Sequence, residues 1–221
     1  MFQLRLFHDV YDPEVSLKSD HPVPHSIFYL YKGSAELDGT TLAEDEARYI
    51  SEYAPVSAGR DGATIWRWEL VDRNARLGVL DGEGVSSSLR MAHDVKMFEL
   101  VPTTSWLFRV DKVIDFEDTT GMHAHGGSGI RCLLEGNVRT ESRMEGNGDN
   151  RNPGDVWYEE GAYPLVSTVD PGVKATFLRG MVLPPEYTNY GDHATWISGQ
   201  PEGGPKFAGA KQLAEKCVVL R

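Results

Sequence analysis

The stretch GMHAHGGSGIRCLLEGNVRTES, residues 121–142, decides how the rest of this sequence is interpreted. It contains two histidines separated by one residue, then a glycine-rich segment, then an apolar run that ends in Glu-Gly. Because side chains alternate along a β-strand, His123 and His125 are expected to point to the same side. Imidazole is the commonest metal ligand among the side chains, so the pair marks a candidate metal site.

The composition bounds the class of protein. The chain has 221 residues, of which 40% are hydrophobic and 25% charged, as in an ordinary globular protein. The 22 basic and 33 acidic residues give a formal charge of −11, which argues against nucleic acid and anionic membranes as partners. The first residues lack the features of a signal peptide, and Cys132 and Cys217 match no disulfide framework, so we expect a cytoplasmic protein.

Short segments rich in Val, Ile, Phe, Trp and Tyr dominate the chain and are separated by Gly, Asp and Asn turn signals. The segments are SIFYLYKG, ATIWRWELV, RLGVL, SWLFRVDKVIDF, IRCLLEG, DVWYEEG, ATFLRGMVL and KCVVLR. This pattern predicts an all-β sandwich or barrel. Two segments with weak helical signals, residues 41–50 and 209–216, are predicted to form a turn or two of helix each.

Two short motifs occur twice in the same order. Residues 27–33 (IFYLYKG) and 130–136 (IRCLLEG) share Ile, Leu and Gly with an offset of 103. The segments ATIWRWEL and ATFLRGMV, which begin at residues 63 and 175, share Ala-Thr and an arginine with an offset of 112. These repeats indicate an internal duplication. The recurring arginines, Arg67 and Arg179, are expected to have an architectural role.

The duplication divides the chain into an N-terminal domain, 1–94, and a C-terminal domain, 95–221. The offset of 103 puts Asp20 and Pro22 where the second half has its two histidines. We therefore expect the first domain to hold no metal and to serve a structural role, packing against its sibling.

The second half resembles the cupin superfamily. The first motif of that family has Gly, His-x-His, Glu and an apolar strand that closes on Gly. Gly121–His125 matches its start and Leu133–Gly136 its end. Its second motif begins Pro-Gly-Asp, as Pro153–Asp155 does, and Gly161 also matches. The resemblance implies a double-stranded β-helix, or jelly roll, in each half, hence a bicupin. It also implies a homodimer and a cavity that usually carries a divalent metal.

Two ligand positions depart from the family motif. Gly129 stands where the usual Glu falls, and the usual third His would fall near Pro164. Stable metal sites normally have three or more protein ligands. Glu159 is the nearest replacement, since alternation puts it on one face with Trp157. Two imidazoles and one carboxylate suit Fe, Mn, Ni or Zn. The alternatives are that Glu159 is a solvated strand-end acid and that the site is empty.

Other residues of this region receive provisional roles. Arg131 continues the inward alternation and needs an anionic partner, so it either forms an ion pair or binds the carboxylate of a substrate. Trp157 is expected to contact the ligand, and Tyr158 or Tyr163 to assist proton transfer. The glycines of residues 126–129 are expected to leave room for a ligand beside the histidines.

Together these features indicate a cupin-type metal-binding protein, with the resemblance implying a metal-dependent enzyme that acts on a small polar or carboxylate-bearing molecule. Cupin relatives include dioxygenases, isomerases, decarboxylases and hydrolases, and the fold does not choose among them. Two alternatives stay open. One is a non-catalytic module that senses a small molecule or a metal. The other is a metal-free cupin that binds or isomerises sugars.

Overall fold

The structure is a computed structural model that describes residues 1–17, 25–51, 55–96, 104–142, 146–189, 194–199, 206 and 208–220. In these ranges the regular structure is almost entirely antiparallel β-sheet, and the helical part is one short 3-10 helix, Pro185–Asn189. The all-β prediction is therefore confirmed. None of the described segments forms a helix that is long and apolar enough to cross a membrane.

The chain divides into two compact units, Met1–Val95 and Lys96–Arg221. The strands of the first unit are β1 (Phe2–Tyr11), β2 (Ser16–Leu17), β3 (Ser26–Leu37), β4 (Thr40–Leu42), β5 (Glu46–Ile50), β6 (Val56–Asp72) and β7 (Val85–Asp94). They form one seven-stranded sheet in the order β4-β3-β6-β1-β7, with β2 beside β6 and β5 beside β3.

The second unit contains two sheets. Its strands are β8 (Ser105–Phe116), β9 (Met122–His125), β10 (Ser128–Glu135), β11 (Arg139–Ser142), β12 (Gly146–Asn147), β13 (Val156–Glu159), β14 (Leu165–Thr168), β15 (Ala175–Leu183), β16 (Ala194–Ser198) and β17 (Gly209–Val219). One sheet has the order β13-β10-β15-β8-β17 and the other the order β12-β11-β14-β9-β16.

The strand pair β3–β6 of the first unit recurs as β10–β15 in the second. Ile27 stands opposite Trp68, and Ile130 stands opposite Gly180, so the two ladders have the same register under the sequence offsets of 103 and 112. Each ladder also has a bulge that begins three residues after its isoleucine. The sequence repeats are thus equivalent pairs of neighbouring strands.

A glycine with positive φ follows the bulge in both ladders. Gly33 has φ 89° and Gly136 has φ 77°, a region that side chains other than glycine rarely adopt. A Cβ at Gly33 would collide with the carbonyl oxygen of Gly62, and one at Gly136 with that of Lys174. Both positions therefore need glycine for the same two reasons, φ and the close approach of a backbone carbonyl.

The helix predictions for residues 41–50 and 209–216 are wrong. The first segment ends β4 and forms β5, and the second lies in β17. In each case the segment pairs with a neighbouring strand, β3 or β8. Strand pairing in the sheet therefore overrides the weak helical preference of Ala, Glu and Lys.

The inward face of the second unit's first sheet carries two apolar clusters. Cluster A consists of Val113, Phe116, Leu133, Val138, Trp157, Val169 and Ala175, with Phe177 against it. Cluster B consists of Leu107, Met181 and Leu183, with Tyr187 against it. Strand alternation along β8 and β15 puts both clusters on the same side of the sheet. Charged residues occupy the positions between them.

The recurring glycines give a test of the two equivalent ladders. Alanine at Gly33 or Gly136 adds both φ strain and a collision with backbone, whereas Gly39 and Gly154 have positive φ but no atom within 4 Å of a built Cβ. We expect Ala at the two control positions to cost about 1–2 kcal/mol of unfolding free energy. Ala at Gly33 or Gly136 should cost more than about 3 kcal/mol. Urea denaturation measures both, and equal losses at all four positions would contradict the equivalence.

Candidate functional site

The two histidines of β9 lie side by side. The ring centroids of His123 and His125 are 4.9 Å apart, and their planes meet at 79°. The ring of His123 also lies 5.0 Å from that of Trp196 on the neighbouring strand β16. Both imidazoles therefore project to the same side of the strand.

One hydrogen bond fixes the tautomer of His123. Its Nδ1 lies 2.9 Å from the carbonyl oxygen of Gly121, which can only accept, so Nδ1 carries the proton. Burial lowers the pKa of His123, although the Gly121 bond opposes the effect. The ring is therefore neutral near pH 7, and its Nε2 has a lone pair.

His125 pairs with a carboxylate that comes from the other sheet of the unit. Its Nε2 lies 3.1 Å from Oε2 of Glu159, and its backbone N–H donates to the carbonyl of Gly161 at 2.8 Å. The backbone bond brings the end of β13 to β9. Glu159 stands directly opposite Gly129 in the β10–β13 ladder. Gly129 is the position where the family motif has its Glu. The carboxylate is thus supplied by the residue paired with that position on the neighbouring strand.

Glu159 is buried and has three nitrogen atoms in close contact with its carboxylate. Arg131 Nη2 lies 2.7 Å from its Oε2, and the indole N–H of Trp157 donates to its Oε1 at 2.7 Å. Burial alone would raise the pKa of Glu159, but Arg131 and His125 outweigh it, so its pKa lies well below the usual range. Glu159 is therefore an ionised, buried partner of Arg131 rather than a solvated acid.

Arg131 and Glu159 belong to a series of neighbouring charges on strands β13, β10, β15, β8 and β17, which we call the charged row. It consists of Glu159, Arg131, Arg179, Asp111 and Arg109, with the half-buried Glu215 opposite Arg109 at the edge strand. Arg179 donates to Asp111 from Nε at 2.6 Å and from Nη2 at 3.1 Å, and Arg109 Nε lies 3.7 Å from Asp111. Opposite charges alternate along the row except where Arg131 and Arg179 are direct neighbours.

The first unit has apolar residues at the positions equivalent to Arg131 and Glu159, the two members of the charged row nearest the histidines of the second unit. By the register of the equivalent ladders, Phe28 takes the place of Arg131 and Ile50 the place of Glu159. Both replacements are part of the apolar core of the first unit. Asp20 and Pro22, which the sequence offset aligns with the histidines, lie outside the described residues.

Arg67, the equivalent of Arg179, has acceptors on every side. Its Nε lies 2.7 Å from Oδ2 of Asp9, its Nη2 donates to the carbonyl of Gly78 at 2.7 Å, and its Nη1 contacts the carboxylate of Glu69. These contacts give Arg67 the architectural role that its recurrence predicts. For Arg179 the carboxylate partner among the described residues is Asp111.

The aromatic residues proposed for the site take other positions. Tyr158 stands opposite Ile130, on the other side of β13 from Glu159, so strand alternation separates it from the histidine cluster. Tyr163 is exposed in the loop after β13. Trp157 is buried against Phe177, with ring centroids 5.7 Å apart, and holds Glu159 rather than facing a ligand. A role of Tyr158 or Tyr163 in proton transfer stays a prediction.

The glycines after the histidines do not leave room for a ligand, which corrects the expectation from sequence. A Cβ at Gly126 would meet the ring of Tyr187, and one at Gly129 would lie 3.0 Å from Nη1 of Arg131. Protein atoms therefore fill the space beside both glycines. Because Gly129 has no side chain, the guanidinium of Arg131 can fold back over it. Nη1 of Arg131 then donates to the carbonyl oxygen of Gly129 at 2.6 Å.

Three neighbours of the site were not assigned to it from the sequence. Arg179 was interpreted as architectural because it recurs in both halves. Trp196 and Tyr187 lie far along the chain from the histidines and carry no spacing signal. Only the strand pairing of β16 with β9 and the packing of the 3-10 helix bring them close.

His123, His125 and Glu159 come together, but their arrangement does not fit a resident divalent metal. Among the described residues, no group of three or more His, Cys, Asp or Glu side chains is placed to hold a metal ion. The carboxylate of Glu159 is already taken by Arg131, Trp157 and His125. A divalent cation there would have to compete with a fully buried guanidinium for the same oxygens.

Comparisons with known proteins identify the fold. No family model and no curated protein matches the chain. Oxalate decarboxylase from Bacillus subtilis is a similar solved structure, with a TM-score of 0.54 at 12% identity over 82% of this chain and 68% of that one. Salicylate 1,2-dioxygenase from Pseudaminobacter salicylatoxidans is another, with a TM-score of 0.51 at 9% sequence identity over 81% of this chain and 70% of that one. Both are cupin proteins, so the chain has a cupin-like, all-β fold.

The buried ion pair predicts a specific loss of stability. Glu159→Gln leaves the charge of Arg131 buried without its partner, so we expect a loss of about 3–5 kcal/mol in unfolding free energy at pH 7. Glu141→Gln is the control, because Glu141 pairs with Arg139 at the surface, where a pair contributes less than about 1 kcal/mol. Similar losses in both variants would contradict the assignment.

The same pair predicts a pH dependence. Because the folded pKa of Glu159 is depressed, its contribution is complete above the ordinary value of 4.5 and is lost as the pH falls below it. Unfolding free energies measured between pH 6 and pH 3 should fall less steeply in Glu159→Gln than in the unchanged protein. Parallel curves would show that Glu159 is not ionised in the folded state.

Proposed function

We propose that the second unit binds a small carboxylate-bearing molecule beside His123 and His125 and catalyses proton transfer at a carbon of that molecule. The observation that carries the proposal is the state of His123, a buried neutral imidazole whose Nδ1 is held by Gly121 and whose Nε2 has a lone pair. A neutral imidazole of fixed orientation is a suitable general base near pH 7.

His125 and Glu159 form the second part of the proposed machinery. Glu159 orients the imidazole of His125 through the 3.1 Å contact to Nε2. A carboxylate in that position also stabilises an imidazolium, so His125 is suited to hold a proton during the reaction. Arg131 and Trp157 keep Glu159 ionised and in place.

Arg131 supplies the recognition of the carboxylate in this proposal. Its guanidinium is buried next to the histidine pair, in a setting where an anionic group gains strongly from a charged donor. The substrate class that fits best is a 2-oxo acid, which has a carboxylate for Arg131 and a hydrogen on C3 that the ketone makes acidic. Nε2 of His123 would take that proton, and the electron pair of the C–H bond would pass into the enolate.

Hydrogen exchange tests this reaction directly. Pyruvate and 2-oxobutyrate are incubated with the protein in D2O, and loss of the C3 hydrogens is followed by proton NMR. We expect catalysed exchange that falls at least about 100-fold in His123→Gln, because a general base contributes a factor of this size. His25→Gln is the control, since His25 is hydrogen-bonded to Tyr49 in the first unit. Binding of these acids without exchange would instead establish a non-catalytic binding module.

The exchange rate should also depend on pH in a predictable direction. Burial lowers the pKa of His123 below its ordinary value of 6.5, so the base stays unprotonated down to pH values below 6.5. We therefore expect the rate to hold between pH 7.5 and 6.5 and to decline at lower pH. A rate that already falls tenfold between pH 7.5 and 6.5 would contradict the assignment of His123 as the base.

A metal-dependent enzyme is the second candidate, and two observations favour it. Fixing Nδ1 of a histidine by a carbonyl, as Gly121 does for His123, is also the arrangement that orients metal-binding histidines. Glu159 stands opposite the position of the family's usual Glu. One equivalent of bound metal that disappears in the double variant His123→Ala, His125→Ala would establish this candidate. The first proposal predicts exchange that survives treatment with EDTA.

We also propose that each unit is a jelly roll and that both descend from one ancestral cupin domain. Support comes from the equal register of β3–β6 and β10–β15, from the bulge at the same place in each ladder, and from the equivalent glycines Gly33 and Gly136. In this interpretation the first unit has lost the Arg131–Glu159 pair, because Phe28 and Ile50 fill those positions.

A further inference from the structure

We infer that Arg131 and Arg179 together form a two-guanidinium site that binds one carboxylate group across strands β10 and β15. The inference rests on the proposed function, in which Arg131 alone recognises the carboxylate, and it adds a second residue and a preference for monocarboxylates. It also gives Arg179 a binding role in place of the architectural role expected from its recurrence.

The first argument is the order of charges. Arg131 and Arg179 stand directly opposite each other on neighbouring strands, and like charges in that position destabilise a sheet. Each arginine has its carboxylate on the far side, Glu159 for Arg131 and Asp111 for Arg179. A bound anion there would relieve the repulsion between them.

The second argument is the count of hydrogen-bond donors. Arg131 donates from Nη1 to the carbonyl of Gly129 and directs Nη2 toward Glu159, but its buried Nε–H has no acceptor in the part of the chain that the structure describes. Arg179 directs Nε and Nη2 to Asp111, which leaves Nη1 for another acceptor. A buried guanidinium N–H without an acceptor is unfavourable, so the vacant donor favours an acidic oxygen.

The third argument is access. The side chain of Arg131 has 0% of its surface exposed, whereas that of Arg179 has 14%. Arg179 is therefore the more exposed of the two arginines. We place the entry of a small anion on its side of the pair.

The neighbours of the two arginines set the size and charge of the ligand. Glu159 and Asp111 flank the pair at the two ends, so a second carboxylate on the ligand would meet a like charge in either direction along the row. Clusters A and B bound the pair on the other two sides and are apolar. We therefore expect a monocarboxylate with a compact apolar body to bind better than a dicarboxylate of similar length.

The first unit provides the internal comparison. Arg67 occupies the position of Arg179, but its neighbour on the equivalent strand is Phe28, and its own donors go to Asp9, Glu69 and Gly78. In the described part of the first unit, Arg67 thus has no second guanidinium directly opposite it, and each of its three nitrogens has an acceptor. One anion site per chain is expected.

The experiment uses acetate as the probe and acetamide as its uncharged isostere. Thermal unfolding is followed while sodium acetate is added at constant ionic strength, and the rise in Tm gives an apparent dissociation constant. We expect acetate to raise the Tm and acetamide to leave it unchanged. Arg179→Gln should weaken the affinity for acetate at least about tenfold, since a hydrogen bond to a charged group is lost. Arg67→Gln should retain the affinity of the unchanged protein.

Two further variants keep the test decisive if Arg179→Gln is unstable. Arg179→Lys keeps a positive charge beside Asp111 but loses the planar pair of donors, and we expect it to weaken acetate binding as well. The double variant Arg131→Phe, Glu159→Ile copies the pair found in the first unit and leaves no partner charge unpaired. It should fold and lose the response to acetate.

Three results would overturn the inference: an equal response to acetate and acetamide, unchanged acetate affinity in Arg179→Gln or Arg179→Lys, or an equal loss in Arg67→Gln. Malonate that binds better than propionate would overturn the preference for monocarboxylates. Failure of the proposed reaction is distinguishable, because acetate binding that depends on both arginines can occur without hydrogen exchange. If Arg179→Lys keeps both the hydrogen exchange and the affinity for pyruvate, Arg179 has no role in binding, and the proposed reaction stands without it.

Discussion

The buried ion pair between Arg131 and Glu159 is the interaction on which the proposed site depends. Arg131 keeps Glu159 ionised inside the unit, and Glu159 in turn orients His125, so one contact connects the sheet that carries the charges to the sheet that carries the histidines. A buried ion pair is weak evidence for added stability, because desolvation offsets the attraction between the charges. We propose that its position next to two histidines reflects binding and chemistry.

Comparison of the two units shows what such a site requires. Both units have the same strand pair, the same bulge and an arginine on the equivalent strand. The first unit fills the remaining positions with Phe28 and Ile50, and Arg67 satisfies its donors with Asp9, Glu69 and a backbone carbonyl. An apolar core in which Arg67 is enclosed by two carboxylates and a carbonyl is a stable outcome for a β-sheet scaffold. The second unit instead keeps an arginine pair and a vacant donor.

The sequence predicts more of the fold than of the site. Alternation and turn signals were sufficient for the all-β class, and alternation put Glu159 on one face of its strand with Trp157. The helix predicted for residues 41–50 failed because strand pairing overrides local preference. The glycines were misjudged, since the close approach at Gly129 depends on where the side chain of Arg131 folds. Arg179 was assigned from recurrence, which cannot show that its neighbour in one unit is a second arginine.

The most direct test of the account is the NMR signal of the Arg131 Nε–H group, observed by 15N correlation spectroscopy while acetate is added. The account predicts one saturable downfield shift of this signal, because acetate supplies the acceptor that the buried Nε–H lacks. It also predicts that acetamide causes no such shift. An Arg131 Nε–H signal that stays unchanged while acetate saturates the protein would contradict the claim that the second unit binds carboxylates at its charged row.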